Sequence, residues 1–232
     1  MTITVIRQWR LIRSICLLVG LCLSPFAAAQ IDISSELLSR VENKYGVEAR
    51  LRVEAWRVLL EDPDIKMLPT REKLKIVNDF FNQKIDFVDD MLLWGVEDYW
   101  ATPVEFLAKG AGDCEDYSIA KYFTLKILGV PDDKLRITYV KAVELRQAHM
   151  VLTYFETPRS VPLVLDNLIP QIKPATERND LIPVYSFNGS GLWLAKARGS
   201  GQRVGGSERL SLWTDLTNRM LQDSLLRSGQ LK

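Results

Sequence analysis

The stretch GAGDCEDYSIAKYF, Gly110 to Phe123, decides how the rest of the chain is read. Gly110 and Gly112 permit a tight turn, Cys114 opens an amphipathic helix, and Gly129 and Pro131 end it. Upstream of this helix the apolar residues recur at helical spacing. Leu37, Leu38, Val41 and Tyr45 follow the capping pair Ser34-Ser35, with Gly46 as a stop; Val53, Trp56 and Leu60 form a second stripe, closed by Asp62-Pro63. Leu74, Val77, Phe81 and Ile85 form a third, with Thr70 as its cap. Downstream the period changes to two. Leu135-Ile137-Tyr139 and His149-Val151-Thr153-Phe155 alternate with residues of the opposite face, and Pro162 to Asp166 is a short buried strand. Pro183–Phe187 and Leu192–Leu194 flank Asn188-Gly189-Ser190-Gly191, the chemistry of a hairpin turn. Helices first and antiparallel strands after predict an α+β domain.

The 232 residues carry 30 basic and 29 acidic side chains, a formal net charge of +1. Arg7, Arg10 and Arg13 precede the apolar run Ile15–Leu23, and Ala27-Ala28-Ala29 follows. This pattern predicts a secretory signal peptide over residues 1–29, cleaved between Ala29 and Gln30, and hence export to the periplasm. Cleavage would remove Cys16 and Cys22, leave Cys114 as the lone cysteine, and rule out an internal disulfide. The near-neutral balance lacks the basic footprint of a nucleic-acid binder. One domain is expected over residues 30–197. Arg198–Ser207 carries four glycines and reads as a flexible connection to a terminal helix bearing Leu210, Trp213, Leu216 and Met220, which either docks on the domain or frays. Residues 198–232 are therefore expected to be dispensable for catalysis.

Chemistry concentrates on Cys114. At a helix start, unpaired backbone N–H groups and the helix dipole favour a thiolate, and the same groups can hold an oxyanion. The sole histidine, His149, follows on one strand, and Asp166 ends the next. Cysteine, histidine and aspartate in that order suit a thiol nucleophile, its general base and the orienter of that base. His149 as a core histidine and Asp166 as a strand-ending turn residue are the bland alternatives. Asp113, Glu115 and Asp116 crowd the thiol and should oppose its ionisation. A divalent cation, calcium above all, would relieve that penalty, with Asp98 a weaker candidate ligand. Alternatively, Asp113 and Asp116 simply cap the helix.

The run DYWATPVEFLAKGAGDCEDYSIAKYF, then AHMVL and PLVLDN, resembles the bacterial transglutaminase-like cysteine peptidases across about Ser35–Ala195. The resemblance implies a papain/transglutaminase-like fold, with N-terminal helices packed on an antiparallel sheet and Cys114, His149 and Asp166 as the triad. It also implies a calcium site matching Asp113 and Glu115, with Asp116 plausible. The substrate it implies is a large surface adhesin, cut near its N-terminus at a paired-alanine site, so that the adhesin is released and the biofilm disperses. The implied partner is the periplasmic domain of an inner-membrane cyclic-di-GMP receptor. A transglutaminase or amidase would use the same thioester, and a noncatalytic receptor-binding module would keep only the fold.

Overall fold

The computed structural model describes residues 33–194 and 201–227, with side chains as far as residue 222. The expected signal peptide and its cleavage point lie outside these residues. Among the described residues no helix is long and apolar enough to cross a membrane.

Helices come first: α1 (Ser35–Tyr45), α2 (Val47–Glu61), the short α3 (Pro63–Met67) and α4 (Thr70–Lys84). Ser34 Oγ accepts from the Leu37 N–H at 3.2 Å to start α1, and Gly46 at φ +89° ends it. Asp62 both stops α2 and caps α3 through the N–H groups of Asp64 and Ile65. At α4 the N-cap is Pro69, and Thr70 is the first helical residue rather than the cap. β1 (Asp86–Phe87), α5 (Asp90–Leu93), α6 (Pro103–Lys109) and β2 (Ala111–Gly112) follow, leading into α7 (Cys114–Ile127).

The second half is a seven-stranded antiparallel sheet. Its strands are β3 (Leu135–Ala142), β4 (Gln147–Tyr154), β5 (Leu163–Leu165), β6 (Lys173–Pro174), β7 (Leu181–Phe187), β8 (Leu192–Leu194) and β9 (Gln202–Gly205). Their order is β6-β5-β4-β3-β7-β8-β9, so the central pair β3 and β4 forms the platform. Helix α7 packs on β4 and is itself covered by α4 and α6. Its buried side chains lock it from several sides. Trp56 Nε1 donates to Thr124 Oγ1 at 2.9 Å, and Lys73 Nζ caps its C-terminal end through the Leu128 carbonyl at 2.8 Å. The Asn188 side chain organises the β7–β8 turn by accepting from the N–H groups of Ser190 and Gly191.

The expectation of a flexible connection is corrected at Gln202–Gly205, a paired strand, β9, joined to β8 through backbone groups that need no apolar side chain. The terminal helix α8 (Ser211–Arg227) docks on the domain. Trp213 is buried, with its ring 5.3 Å from Phe187 and 5.7 Å from both Tyr122 and Phe123; Leu216 is fully buried. Arg219 bridges α8 to Glu105 at 2.6 Å and to the Tyr99 hydroxyl at 3.0 Å. The segment is part of the core, and it also walls the cleft described next.

Candidate active site

The loop before α7 is held by close approach. Gly110 sits at φ +70° and closes α6, while a Cβ on Gly112 would lie 2.7 Å from the Phe106 ring and strike the Asp116 carboxyl. The parallel β1–β2 pair pins this loop, with the Val88 N–H donating to the Gly112 carbonyl at 3.0 Å. Cys114 is thereby placed at the first position of α7, partly exposed. It lines a cleft of about 550 Å³ together with His149, Met150, Trp100, Tyr139, Tyr185 and, from the C-terminal segment, Leu210 and Leu212.

His149 faces this cleft from β4, opposite Val140 of β3. Leu165 pairs with Leu152, so the chain leaving β5 sets Asp166 behind the imidazole. His149 Nε2 and Asp166 Oδ1 are 2.8 Å apart, with both side chains buried. Oδ1 also accepts from the Leu168 N–H at 3.1 Å, and Oδ2 accepts from Arg178 Nη2 at 2.6 Å. Burial alone would push the Asp166 carboxyl above its ordinary value. The hydrogen bond and charge of His149, aided by Arg178, outweigh burial and hold the carboxyl at about 2. Asp166 is therefore an anion at any working pH. Cys114 and His149 line one cleft and Asp166 lies behind His149, whose Nε2 is committed to Asp166, leaving Nδ1 as its other ring nitrogen.

The thiol proton points elsewhere. Cys114 Sγ donates to Glu115 Oε2 at 3.0 Å, and burial, reinforced by the Glu115 charge, pushes the thiol well above its ordinary value. The acidic cluster thus opposes thiolate formation, as the sequence implied. It is larger than expected. Oxygens of Asp90, Asp98 and Glu115 converge within 4.8 Å, and so do those of Asp90, Asp113 and Asp116. Burial, followed by neighbouring carboxylates, raises Asp113; burial also raises Glu115, Asp116 and Asp90.

These residues divide by what already holds them. Asp113 and Asp116 make a reciprocal capping box, and Asp116 also accepts from the Ala101 N–H at 2.8 Å. Capping does not use up the cluster, because Oδ1 of Asp113 and Oδ1 of Asp90 are buried without a hydrogen-bond partner. Orphaned buried carboxylate oxygens on two residues of this cluster, which an exposed Asp98 joins through Asp90 and Glu115, are a donor set for a hard cation such as calcium. Cys114 belongs to a further group with Asp113 and Glu115, but a sulfur suits calcium poorly.

Two residues escaped the sequence reading. Asp90 follows Asp89 at a helix start, where acids are ordinary, and no spacing ties it to Asp113. Arg178 sits in a turn before β7 with no motif around it, and only the fold carries it to Asp166.

Comparison with known proteins agrees with this fold. Residues 60–194 match the family described as bacterial transglutaminase-like cysteine proteinase, BTLCP. The structure of EGTA-treated LapG from Legionella pneumophila superposes with a TM-score of 0.70 at 46% sequence identity, covering 81% of this chain and 98% of that one. Calcium-bound LapG from the same organism gives a TM-score of 0.68 at 46% identity, with 81% and 99% covered. No curated protein sequence matches significantly.

Proposed function

Since the chain belongs to the bacterial transglutaminase-like cysteine proteinases, we propose that it is a calcium-dependent cysteine endopeptidase working through Cys114, His149 and Asp166. The observation that carries this reading is the buried His149–Asp166 pair facing the cleft that Cys114 lines, at the start of a helix. His149 accepts the thiol proton at Nδ1, since Nε2 is held by Asp166. Cys114 Sγ then attacks the scissile carbonyl, and backbone N–H groups of the first turn of α7 receive the oxyanion. The imidazolium returns its proton to the leaving amine, and His149 next activates water against the thioester. Asp166 fixes the tautomer and balances the imidazolium charge.

Calcium, when bound, supplies positive charge to the carboxylate cluster. Asp90, Asp98, Asp113 and Glu115 would hold it, with Asp116 bracing them from the capping box. Glu115 engaged in that way no longer competes for the thiol proton, leaving His149 as the acceptor. The calcium-bound and EGTA-treated LapG structures support this reading of the cluster.

The likeness to LapG supports a substrate class as well: a large surface adhesin, cut near its N-terminus at a paired-alanine site, with release of the adhesin and dispersal of the biofilm. Periplasmic residence follows from the signal-peptide reading of residues 1–29. The regulatory partner proposed is the periplasmic domain of an inner-membrane cyclic-di-GMP receptor. Incubating the protein with N-terminal adhesin fragments, in calcium and in chelator, tests the reading. Two fragments in calcium and none in chelator are expected. A heavier, crosslinked product would instead point to transfer to an amine, and an uncut fragment in calcium would remove the adhesin from the account.

A further inference from the structure

Asp166 is fixed by two separate sets of contacts. Its backbone carbonyl accepts from Asn82 Nδ2 at 2.7 Å and from Lys121 Nζ at 3.2 Å, which ties the main chain to α4 and α7. Neither contact orients the carboxylate. That orientation depends on the Leu168 N–H and His149 at Oδ1 and on Arg178 at Oδ2. We infer that Arg178, held in place by Asp180, is the positioning residue that fixes the Asp166 carboxylate for His149. The inference rests on the triad reading and adds a residue to it.

The guanidinium is built for this task. Its side chain is 1% exposed, and it is gripped from the outer side by Asp180, at 3.0 Å through Nε and 2.8 Å through Nη2. This forked grip leaves Nη2 aimed at Asp166 Oδ2, 2.6 Å away. Without that donor one oxygen of a buried carboxylate would have no partner. The group would then turn about its terminal bond, and the angle offered to His149 would be lost.

Asp180 also settles the charge. An uncompensated guanidinium behind Asp166 would oppose the imidazolium that forms during acyl transfer. Paired with Asp180, Arg178 supplies direction while the Asp166 charge stays available to His149. Among the described residues, Lys121 also faces Asp166, at the backbone carbonyl. Burial lowers it to about 7, against the pull of Asp166 and Asp79. It does not reach the carboxylate oxygens that face His149 and Arg178, and so cannot replace Arg178 there.

The experiment measures kcat and KM across pH, in calcium, for Arg178→Gln, Arg178→Lys, Asp166→Asn and the double variant Arg178→Gln/Asp166→Asn. By analogy with the groups that hydrogen-bond to metal ligands and hold their orientation, Arg178→Gln should lower kcat about 10- to 100-fold with KM nearly unchanged. The acid limb of the kcat profile should move to higher pH, because Asp166 loses the donor that helps keep it ionised. Arg178→Lys should restore the acid limb but only part of kcat, since a point charge lacks the fork. In the Asp166→Asn background, Arg178→Gln should cost little more, because its target is already gone. If Arg178→Gln does not fold, Asp180→Asn carries the test, and a smaller loss in the same direction is expected. A folded Arg178→Gln or Asp180→Asn enzyme with wild-type kcat and pH profile, beside an impaired Asp166→Asn, overturns the inference alone. So do fully multiplicative losses in the double variant. Wild-type turnover in Asp166→Asn would overturn the triad reading itself.

Discussion

Withdrawing calcium should destabilise the protein more at pH 8 than at pH 5, and the sign follows from the carboxylate cluster. In the ion-free fold, burial and mutual repulsion raise Asp113 and Glu115 above their ordinary values. A carboxyl raised in the folded state stabilises the fold below its unfolded value, near 4, and that contribution is lost as pH rises through the folded value. Each unit of displacement is worth about 1.4 kcal/mol, so the ion-free protein should lose stability between pH 5 and pH 8. Asp166 has the opposite sign, but its contribution is lost only as pH falls towards about 2, outside that window. Lys121, lowered by burial to about 7, favours the fold as pH rises above that value, equally with and without calcium, and so cancels in the difference between the two. Calcium at about 100 times its dissociation constant should add roughly 2.7 kcal/mol. For a domain of this size that is about 5–11 °C in Tm. At pH 5, protons hold the carboxylates and the shift should shrink. Melting curves in calcium and in EGTA at both pH values read this directly. Equal curves at pH 8, with no calcium binding by calorimetry, would refute the metal site and leave Asp113 and Asp116 as a helix cap.

Asp90→Asn should weaken calcium binding by calorimetry while leaving the fold in excess calcium intact; unchanged affinity would remove Asp90 from the ligand set. Magnesium should substitute poorly in both melting and turnover, since it demands a tighter octahedron and sheds water reluctantly. His149→Ala should be inactive and Asp166→Asn nearly so, since removing the orienter costs a serine protease about 10⁴ in kcat. Trp213→Ala should cost about 3–5 kcal/mol in denaturant unfolding, because the ring is buried among Tyr122, Phe123 and Phe187. Truncation after Arg198 should therefore unfold the domain, and a truncated protein with the wild-type Tm would contradict that packing.

Much of this architecture was legible because its signals are local. The stripes ending at Gly46 and at Asp62-Pro63, the Asn188–Gly191 turn and the α7 start each depend on residues a few positions apart. Cys114, His149 and Asp166 stood out because only a few residue types can do their work, and one histidine leaves no choice. What stayed hidden was set by the fold. Asp90 joins Asp113 only because β1 and β2 pair and bring the two loops together. Arg178 meets Asp166 only across the turn that precedes β7. β9 was misread because glycine-rich sequence carries no alternation, while its pairing with β8 is made by the backbone. The docking of α8 required an aromatic socket drawn from α7 and β7, distant in sequence from Trp213.

The most direct test of the central claim is cleavage by Cys114→Ala. Wild-type protein in calcium should convert an N-terminal adhesin fragment into two products. Cys114→Ala, with an unchanged circular dichroism spectrum and intact calcium binding, should leave the fragment whole. Two products from the folded Cys114→Ala protein would show that the cleavage does not run through this thiol.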